Sequence, residues 1–212
     1  MSLEAMKRNG HNLELGRYNT TGQYDIPTIQ PEILRERIEW ISFNYAPTAV
    51  DREQLGVHFF VDDYVFLRAW NDPPRYANLL SRFKAVMSPD FSLFTDYPKA
   101  VQIYNHFRKH LLAAYWQSLG IKVIPSICWS DHSSYEWCFD GEPIGGLVAV
   151  SSVGAQKNSE SQRLFLDGYN EMLARLRPKK VIFFGDVPKD CRGDIERHEA
   201  FYSAVYKRRK RT

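Results

Sequence analysis

Short apolar runs alternate with amphipathic helical patterns along most of the chain, and this alternation limits the fold more than any other feature. Six runs have the composition of buried strands, at residues 41–45, 57–61, 85–87, 121–127, 147–150 and 180–184. Buried strands separated by amphipathic helices are typical of βα repeats, in which consecutive strands run parallel. The sequence therefore predicts an α/β fold with a mostly parallel sheet.

The number of strands favours a barrel-like sheet that is an incomplete version of the TIM type. Six candidate strands are too few for a complete (β/α)₈ barrel, and 212 residues lie near its lower limit of length. An open doubly wound sheet is the alternative. The chain has neither a G-x-G-x-x-G pattern after its first strands nor a G-x-x-x-x-G-K-[ST] pattern. These absences argue against the usual nicotinamide, flavin and P-loop nucleotide sites.

Helix signals accompany these strands. A long helix is predicted over residues 97–119, with Asp96 as its N-cap. Its apolar residues recur at helical spacing and predict a buried stripe: Val101, Tyr104, Phe107, Leu111, Tyr115 and Leu119. A second helix is predicted from a capping-box pattern at residues 159–162 and ends before Pro178. Pro31 predicts a short helix start, and residues 194–207 are also expected to be helical.

The chain divides into three parts by composition. Residues 1–30 form a leader and an extended polar arm, residues 31–206 a single α/β domain, and residues 207–212 a basic tail. Residues 1–5, before Met6, resemble a cloning leader. The sequence has no apolar run approaching the roughly 18 residues that a membrane span requires, and no recognisable signal peptide. These features predict a cytoplasmic protein without a membrane partner.

Polar residues follow the predicted strands at the points where the strands end. In parallel α/β folds the loops at the carboxyl ends of the strands converge and hold the ligand. We therefore predict a ligand site there, with Asp90, Asp131 and Asp186 as catalytic candidates. The ligand-binding candidates are Asn44, Asp62, Asp63, Ser92, Trp129 and Ser152. The structural alternative is that the Asp and Ser residues cap the following helices, most simply at Asp62, Asp63 and Asp186.

The predicted site suggests several chemistries. Clustered carboxylates without His or Cys suit Mg²⁺ or Mn²⁺, which would indicate metal-assisted chemistry on a phosphorylated or nucleotide-like ligand. Trp129 could stack on such a ligand, or simply pack its loop. Glu136 with Asp131 is a weaker alternative, as a carboxylate pair for glycosidic cleavage. Cys128, His132 and Cys138 lack the spacing of a structural zinc site.

The basic tail indicates a different kind of partner. Residues 207–211 supply five of the 28 basic residues, which leaves 23 against 25 acidic residues in the rest of the chain. The domain is therefore not basic, and contact with nucleic acid would depend on the tail. A nucleic-acid-binding accessory protein without catalysis is the alternative function. A protein–protein module is a third possibility, suggested by the 14% aromatic content.

Four long segments carry a family resemblance. They are VHFFVDDYVF (57–66), SPDFSLFTDYPKAVQIYN (88–105), YWQSLGIKVIPSICWSDHSSYEWCFDG (115–141) and VIFFGDVP (181–188). Together they resemble a domain-of-unknown-function family common in bacterial phages, prophages and mobile elements. The resemblance implies a mobile-element setting and assigns no activity. Its motifs concentrate at the SPDF, WSD and FDG loops, where the predicted strands end.

Overall fold

Nine strands and four helices build the computed structural model, which describes residues 10–155 and 157–200. The strands are β1 (Thr20–Thr21), β2 (Ile26–Pro27), β3 (Glu39–Ser42), β4 (Leu55–His58), β5 (Ala85–Met87), β6 (Val123–Ile124), β7 (Leu147–Ser151), β8 (Lys180–Phe184) and β9 (Ile195–His198). The helices are α1 (Asp63–Asn71), α2 (Pro73–Leu80), α3 (Lys99–Ser118) and α4 (Ser159–Leu176).

The strands form two parallel sheets in which spatial order follows chain order. One sheet has the order β3-β4-β5-β6 and the other the order β7-β8-β9, and every pairing within them is parallel. A parallel bridge between Ser126 and Ala149 links the end of β6 to β7. The hydrogen bond from Ala149 N to Pro125 O, at 2.8 Å, belongs to this link. The predicted α/β class with parallel strands is therefore confirmed.

The finer topology of the sheets bears differently on the two expectations. Hydrogen bonding among the described strands does not close them into a barrel, so the barrel-like arrangement stays a prediction. Each sheet keeps its strands in chain order. A doubly wound sheet instead reverses its strand order at a switch point. The observed order therefore argues against the open doubly wound alternative.

One predicted helix is wrong, and a second is wrong over the part that the structure describes. Residues 31–38 contain no helix. In the helix predicted over residues 194–207, residues 195–198 form strand β9, and residues 201–207 lie outside the described part of the chain. Strand β9 pairs in parallel with the edge of β8. The pairs run from Val181 with Ile195 to Phe184 with His198. Glu196 further fixes this strand, because its carboxylate lies 3.6 Å from Lys180 Nζ and 3.5 Å from Arg37 Nε. Tertiary pairing thus overrides the local helical pattern at this position.

Helix α3 lies where it was predicted, and the predicted apolar stripe is buried in part. The helix begins at Lys99, with Pro98 rather than Asp96 at its N-cap. Leu111 is buried and Tyr104, Phe107 and Tyr115 pack against the core, whereas Val101 and Leu119 are exposed. Half of the buried side chains of this helix are polar or charged. These are Gln102, Asn105, His106, Lys109 and His110, and they lie beside the buried apolar residues Leu111, Leu112, Ala113, Ala114 and Trp116. The helix therefore buries a row of hydrogen-bonding groups, and each needs a partner inside the protein.

The described part of the N-terminal arm packs on the domain. Gln30 and Gln117 exchange two backbone–side-chain hydrogen bonds, at 2.8 and 2.9 Å. Ile29 N donates to Gly141 O at 2.8 Å, and Pro27 O accepts a hydrogen bond from His110 Nδ1 at 2.8 Å. The arm thus supplies a carbonyl group to the polar face of α3. The boundaries predicted at residues 30 and 206 stay predictions.

Candidate functional site

A cleft of about 490 Å³ opens at the carboxyl ends of the strands, within the size range of small-molecule sites. The loops after β4, β5 and β6, together with the end of β7 and the loop after it, line this cleft. Its polar lining comprises Asp62, Asp90, Ser92, Thr95, Ser130, Ser151, Lys157 and Ser161. The aromatic part of the lining comprises Phe60, Phe94, Trp129 and Phe165. Parallel strands therefore do bring several of their terminal residues to one cleft.

The loop that carries Asp90 is held at both of its ends. Before Asp90, Ser88 Oγ accepts a hydrogen bond from Ser126 N, and Ser88 O accepts one from Ser126 Oγ, both at 2.8 Å. After Asp90, the Asp63 carboxylate accepts hydrogen bonds from Ser92 N at 3.1 Å and Ser92 Oγ at 2.8 Å. Asn105 Nδ2 donates to Ser92 O at 2.7 Å. These contacts hold Asp90 in a fixed position in the cleft.

Asp90 has the most perturbed carboxyl group in the cleft lining. Its Oδ1 atom is shielded from solvent and has no hydrogen-bond partner among the described residues. Burial raises the pKa of Asp90 from 3.8 to about 7, and the negative charge of Asp63 acts in the same direction. The ammonium group of Lys109 opposes this rise. The side chain is therefore poised to exchange a proton near neutral pH.

Behind the cleft lies a buried ionic cluster centred on Glu142. Glu142 Oε1 accepts a hydrogen bond from Lys109 Nζ at 2.5 Å and lies 3.1 Å from His110 Nε2. Lys109 Nζ also donates to Ser126 O at 3.0 Å. Burial raises the pKa of Glu142, but Lys109 and His110 more than offset this, so that the pKa is lowered. Burial lowers the pKa of His106 and of His110.

The other predicted catalytic residues lie outside the cleft. The Asp131 carboxylate accepts hydrogen bonds from Ser133 N at 2.9 Å and Ser133 Oγ at 2.8 Å, which caps the 3₁₀ helix His132–Glu136. Asp186 has an 85% exposed side chain that lies 2.6 Å from Arg197 Nη2. Glu136, the weaker alternative partner of Asp131, is paired with Lys99 at 3.4 Å. Asp90 is thus separated from the two aspartates that were expected beside it.

The predicted ligand-binding residues divide in the same way. Asp62, Ser92 and Trp129 line the cleft, whereas Asp63 supports it through Ser92. Ser152 is buried and donates to Asp186 O at 2.8 Å. Asn44 accepts a short hydrogen bond from Ser42 Oγ. The ligand-binding roles of these residues stay predictions. The basic residues 207–211, predicted to contact nucleic acid, lie outside the described part of the chain.

Trp129 is positioned by helix α4. Its Nε1 atom donates to Leu164 O at 3.1 Å, and its ring packs against Phe165 with the centroids 5.4 Å apart. Gly168 allows this close approach, because a Cβ atom there would lie 2.2 Å from Trp129 Nε1. The indole is therefore a wall of the cleft that is fastened to the helix.

Gly168→Ala should destabilise the protein by about 1–2 kcal/mol, although alanine normally favours a helix interior by about 1 kcal/mol over glycine. The new methyl group must displace the Trp129 ring and break its hydrogen bond to Leu164. Urea unfolding measures this loss. In a Trp129→Ala background the clash is absent, so the same substitution should become stabilising. A loss of the same size in both backgrounds would contradict the proposed contact.

The buried cluster of His106, Lys109, His110 and Glu142 was missed by the sequence analysis. A signal for it does exist: positions 102, 106, 109, 113 and 116 follow a helical repeat that ends in alanine and tryptophan. The apolar residues of α3 form a second repeat, and hydrophobic patterning predicts burial for this repeat rather than for the polar one. Glu142 lies far from α3 in sequence, so no local pattern links it to the helix.

The fold and the cleft define an α/β protein whose parallel strands end at a small-molecule-sized pocket. The chain belongs to the family described as a domain of unknown function, DUF4417, whose sequence profile matches residues 18–201. The resemblance to a phage-associated family of unknown function is thereby confirmed, whereas the roles of its motifs stay predictions.

Two relatives come from mycobacteriophages. The Gene 1 protein of Mycobacterium phage L5 is 36% identical over 172 residues, which cover 80% of this chain and 75% of that protein. The Gene 1 protein of Mycobacterium phage D29 is 34% identical over 175 residues, covering 79% of this chain and 63% of that protein. No solved structure matches the chain significantly. Among the described helices, none combines the length and apolarity needed to cross a membrane.

Proposed function

We propose that the protein binds a small ligand in the cleft at the strand ends and that Asp90 exchanges a proton with it. The observation that carries this proposal is that Asp90 lines the cleft and that its Oδ1 atom has no hydrogen-bond partner among the described residues. An unsatisfied buried acceptor is costly in a folded protein. Proteins retain an unpaired acceptor of this kind where a function requires it. A ligand that donated a hydrogen bond to Asp90 Oδ1 would remove this free-energy cost.

The proton exchange follows from the pKa of Asp90. A carboxyl group with a pKa of about 7 is present in both protonation states at neutral pH. It can therefore accept a proton from one ligand group or donate one to another. The fixed loop around Asp90 supports this role, because general acid–base catalysis depends on a side chain held at hydrogen-bonding distance.

The cleft lining suggests a phosphorylated, nucleotide-like ligand. Aromatic rings at Phe60, Phe94 and Trp129 offer faces for a base or a sugar. Lys157 and Ser161 lie at the start of α4, an 18-residue helix whose positive N-terminal end favours an anionic group. A shared Mg²⁺ or Mn²⁺ site on the three predicted aspartates is not part of this proposal, because Asp131 and Asp186 use their carboxylates elsewhere.

A ligand panel tests the proposal. Thermal-shift measurements with 5′-nucleotides and sugar phosphates should identify compounds that raise the melting temperature, and calorimetry should give their dissociation constants. Asp90→Asn should weaken binding of such a compound by about tenfold or more, equivalent to about 1.4 kcal/mol. Asn keeps the size of the side chain but removes its negative charge and its ability to exchange a proton.

Asp131→Asn and Asp186→Asn are matched controls that change the same functional group outside the cleft. Both should bind within about twofold of the unmodified protein, well below one factor of ten in affinity. A panel without any binder would contradict the ligand class. Equal weakening by all three substitutions would contradict the assignment of the site to Asp90.

We also propose that the two sheets form one curved, barrel-like sheet of the incomplete TIM type. The sequential strand order and the bridge from Ser126 to Ala149 support this arrangement. Contacts between the two ends of the strand series β3 to β9 support the barrel-like arrangement as well. Arg37, before β3, donates to Arg197 O of β9 at 3.1 Å, and His58 of β4 packs on Phe184 of β8 with ring centroids 4.7 Å apart.

A further inference from the structure

Three buried side chains outside the cleft bring metal-ligating atoms together. His106 and His110 lie one turn apart on α3, and Glu142 lies in the segment between the 3₁₀ helix His132–Glu136 and β7. Each offers a ligand atom, and these atoms all lie within 4.8 Å of one another. The side chains of His110 and Glu142 are fully buried, and His106 is 1% exposed.

Backbone carbonyl groups fix which nitrogen of each imidazole carries the hydrogen. His106 Nε2 lies 3.0 Å from Asp140 O, and His110 Nδ1 lies 2.8 Å from Pro27 O. A carbonyl oxygen only accepts, so both of these nitrogens must be donors. In the neutral imidazoles, His106 Nδ1 and His110 Nε2 then bear lone pairs. Metal-binding histidines are commonly oriented in this way, with the second nitrogen donating to a carbonyl or carboxylate.

The atoms left over by these contacts lack partners. His106 Nδ1 and Glu142 Oε2 are buried and make no hydrogen bond to any described residue. His110 Nε2 lies 3.1 Å from Glu142 Oε1, which places a lone pair against a carboxylate oxygen. Two acceptors at this separation need a proton or a cation to join them. Zinc ligands bound at about 2.0–2.2 Å and a tetrahedral angle lie about 3.3 Å apart, which is close to the observed separation.

We propose that His106, His110 and Glu142 form a buried binding site for a divalent transition metal ion of the zinc class. Two imidazoles and one carboxylate suit zinc or cobalt(II) better than magnesium, which prefers oxygen ligands. None of the three residues lines the cleft. The site is closed to solvent, so the bound ion joins α3 to the segment before β7 and stabilises the fold.

Lys109 is compatible with the ion and orients its carboxylate ligand. Its ammonium group donates to one lone pair of Glu142 Oε1 and leaves the other lone pair of this oxygen for the ion, while Oε2 has no partner among the described residues. Hydrogen bonds of this kind commonly orient a metal-binding carboxylate. Asp140 contributes further negative charge, because its Oδ2 atom is buried and its carboxylate interacts electrostatically with His110.

Refolding in the presence of metal tests the site, because a fully buried site is loaded as the chain folds. Tag-free protein is stripped with EDTA under denaturing conditions, refolded with Zn²⁺, dialysed and measured by plasma mass spectrometry. We expect about one zinc ion per chain in the unmodified protein and a higher melting temperature than in protein refolded with EDTA. His106→Gln and His110→Gln should each retain less than about a tenth of that zinc.

His132→Gln is the matched control, because His132 is exposed and should not affect the zinc content. X-ray absorption of the unmodified, zinc-loaded protein should show two imidazole ligands and no sulfur, and this measurement does not depend on whether the variants fold. The proposal is overturned if the unmodified protein refolds with less than about a tenth of an equivalent of zinc. It is also overturned if the absorption spectrum lacks the two imidazoles. A proton shared between His110 and Glu142 would then explain their contact.

Discussion

Lys109→Met is expected to reduce the free energy of unfolding of the metal-free protein by about 3–5 kcal/mol, because it leaves the buried Glu142 carboxylate without its ammonium partner. The Lys109 and Glu142 side chains are 1% and 0% exposed, and their charged groups are 2.5 Å apart. Removing one partner of such a pair costs more than the pair itself contributes. The substitution also leaves Ser126 O without its hydrogen bond from Lys109 Nζ.

Lys99→Met is a matched control at the beginning of the same helix. Lys99 pairs with Glu136 at 3.4 Å, but the two side chains are 49% and 66% exposed. Solvent screens such a pair, so its loss should change stability by less than about 1 kcal/mol. Urea unfolding of protein refolded with EDTA measures both variants. Equal effects of the two substitutions would mean that Glu142 is not charged in the folded protein.

A double substitution separates the charge from the loss of packing. Lys109→Met combined with Glu142→Gln removes both charges and keeps both side chains near their original size. We expect this protein to regain a large part of the stability lost in Lys109→Met, because no unpaired buried charge remains. If the double variant is as unstable as the single variant, the lost lysine contacts explain the effect rather than the carboxylate.

The strands could be predicted because burial on both faces leaves a continuous apolar run. Residues 85–87 and 180–184 were predicted with the observed bounds of β5 and β8. The carboxyl ends of parallel strands meet by geometry, and Asp90, Ser92 and Trp129, which follow two of the predicted strands, line one cleft. The place of the cleft therefore follows from chain order and periodicity, whereas the roles of these residues stay predictions.

The polar face of α3 could not be predicted in this way. Hydrophobic patterning assumes that apolar side chains turn inward, whereas here Lys109, His106 and His110 are buried because distant groups satisfy them. Those partners, Ser126 O, Asp140 O, Pro27 O and the Glu142 carboxylate, come from three separate segments of the chain. No local sequence pattern contains that information. Asp131 and Asp186 do not line the cleft for a related reason, since their carboxylates bond to Ser133 and Arg197.

Asp90 and Glu142 show two ways in which this protein accommodates a carboxyl group with little access to solvent, Asp90 being half-buried and Glu142 buried. Glu142 has a cation at hydrogen-bonding distance, which favours its ionised form. Asp90 has an oxygen without a partner among the described residues, and burial favours its protonated form. The first arrangement stabilises the folded state at neutral pH, whereas the second destabilises it. The difference predicts opposite effects of substitution at the two positions.

Asp90→Asn should therefore make the protein more stable at about pH 8, in contrast to Lys109→Met. The pKa of Asp90 is raised from 3.8 to about 7 in the folded protein. The folded state thus binds more protons than the unfolded state between these values, and stability falls as the pH rises through this window. One pKa unit corresponds to about 1.4 kcal/mol, so the loss between about pH 5 and pH 8 should be about 2–3 kcal/mol. Because Asn cannot ionise, the Asp90→Asn protein lacks this pH-dependent loss of stability.

Urea unfolding at about pH 5 and about pH 8 gives the free energy of unfolding of the unmodified protein and of Asp90→Asn. Taking the difference between the two proteins at each pH removes the contribution of the titrating groups that they share. Asp90→Asn should gain about 2–3 kcal/mol relative to the unmodified protein between the two pH values. Asp96→Asn is the control for the loss of a carboxyl group, because Asp96 is exposed on the same loop. A pH-independent difference for Asp90→Asn would mean that Asp90 is ionised without penalty. Its proposed exchange of a proton near neutral pH would then lose its physical basis.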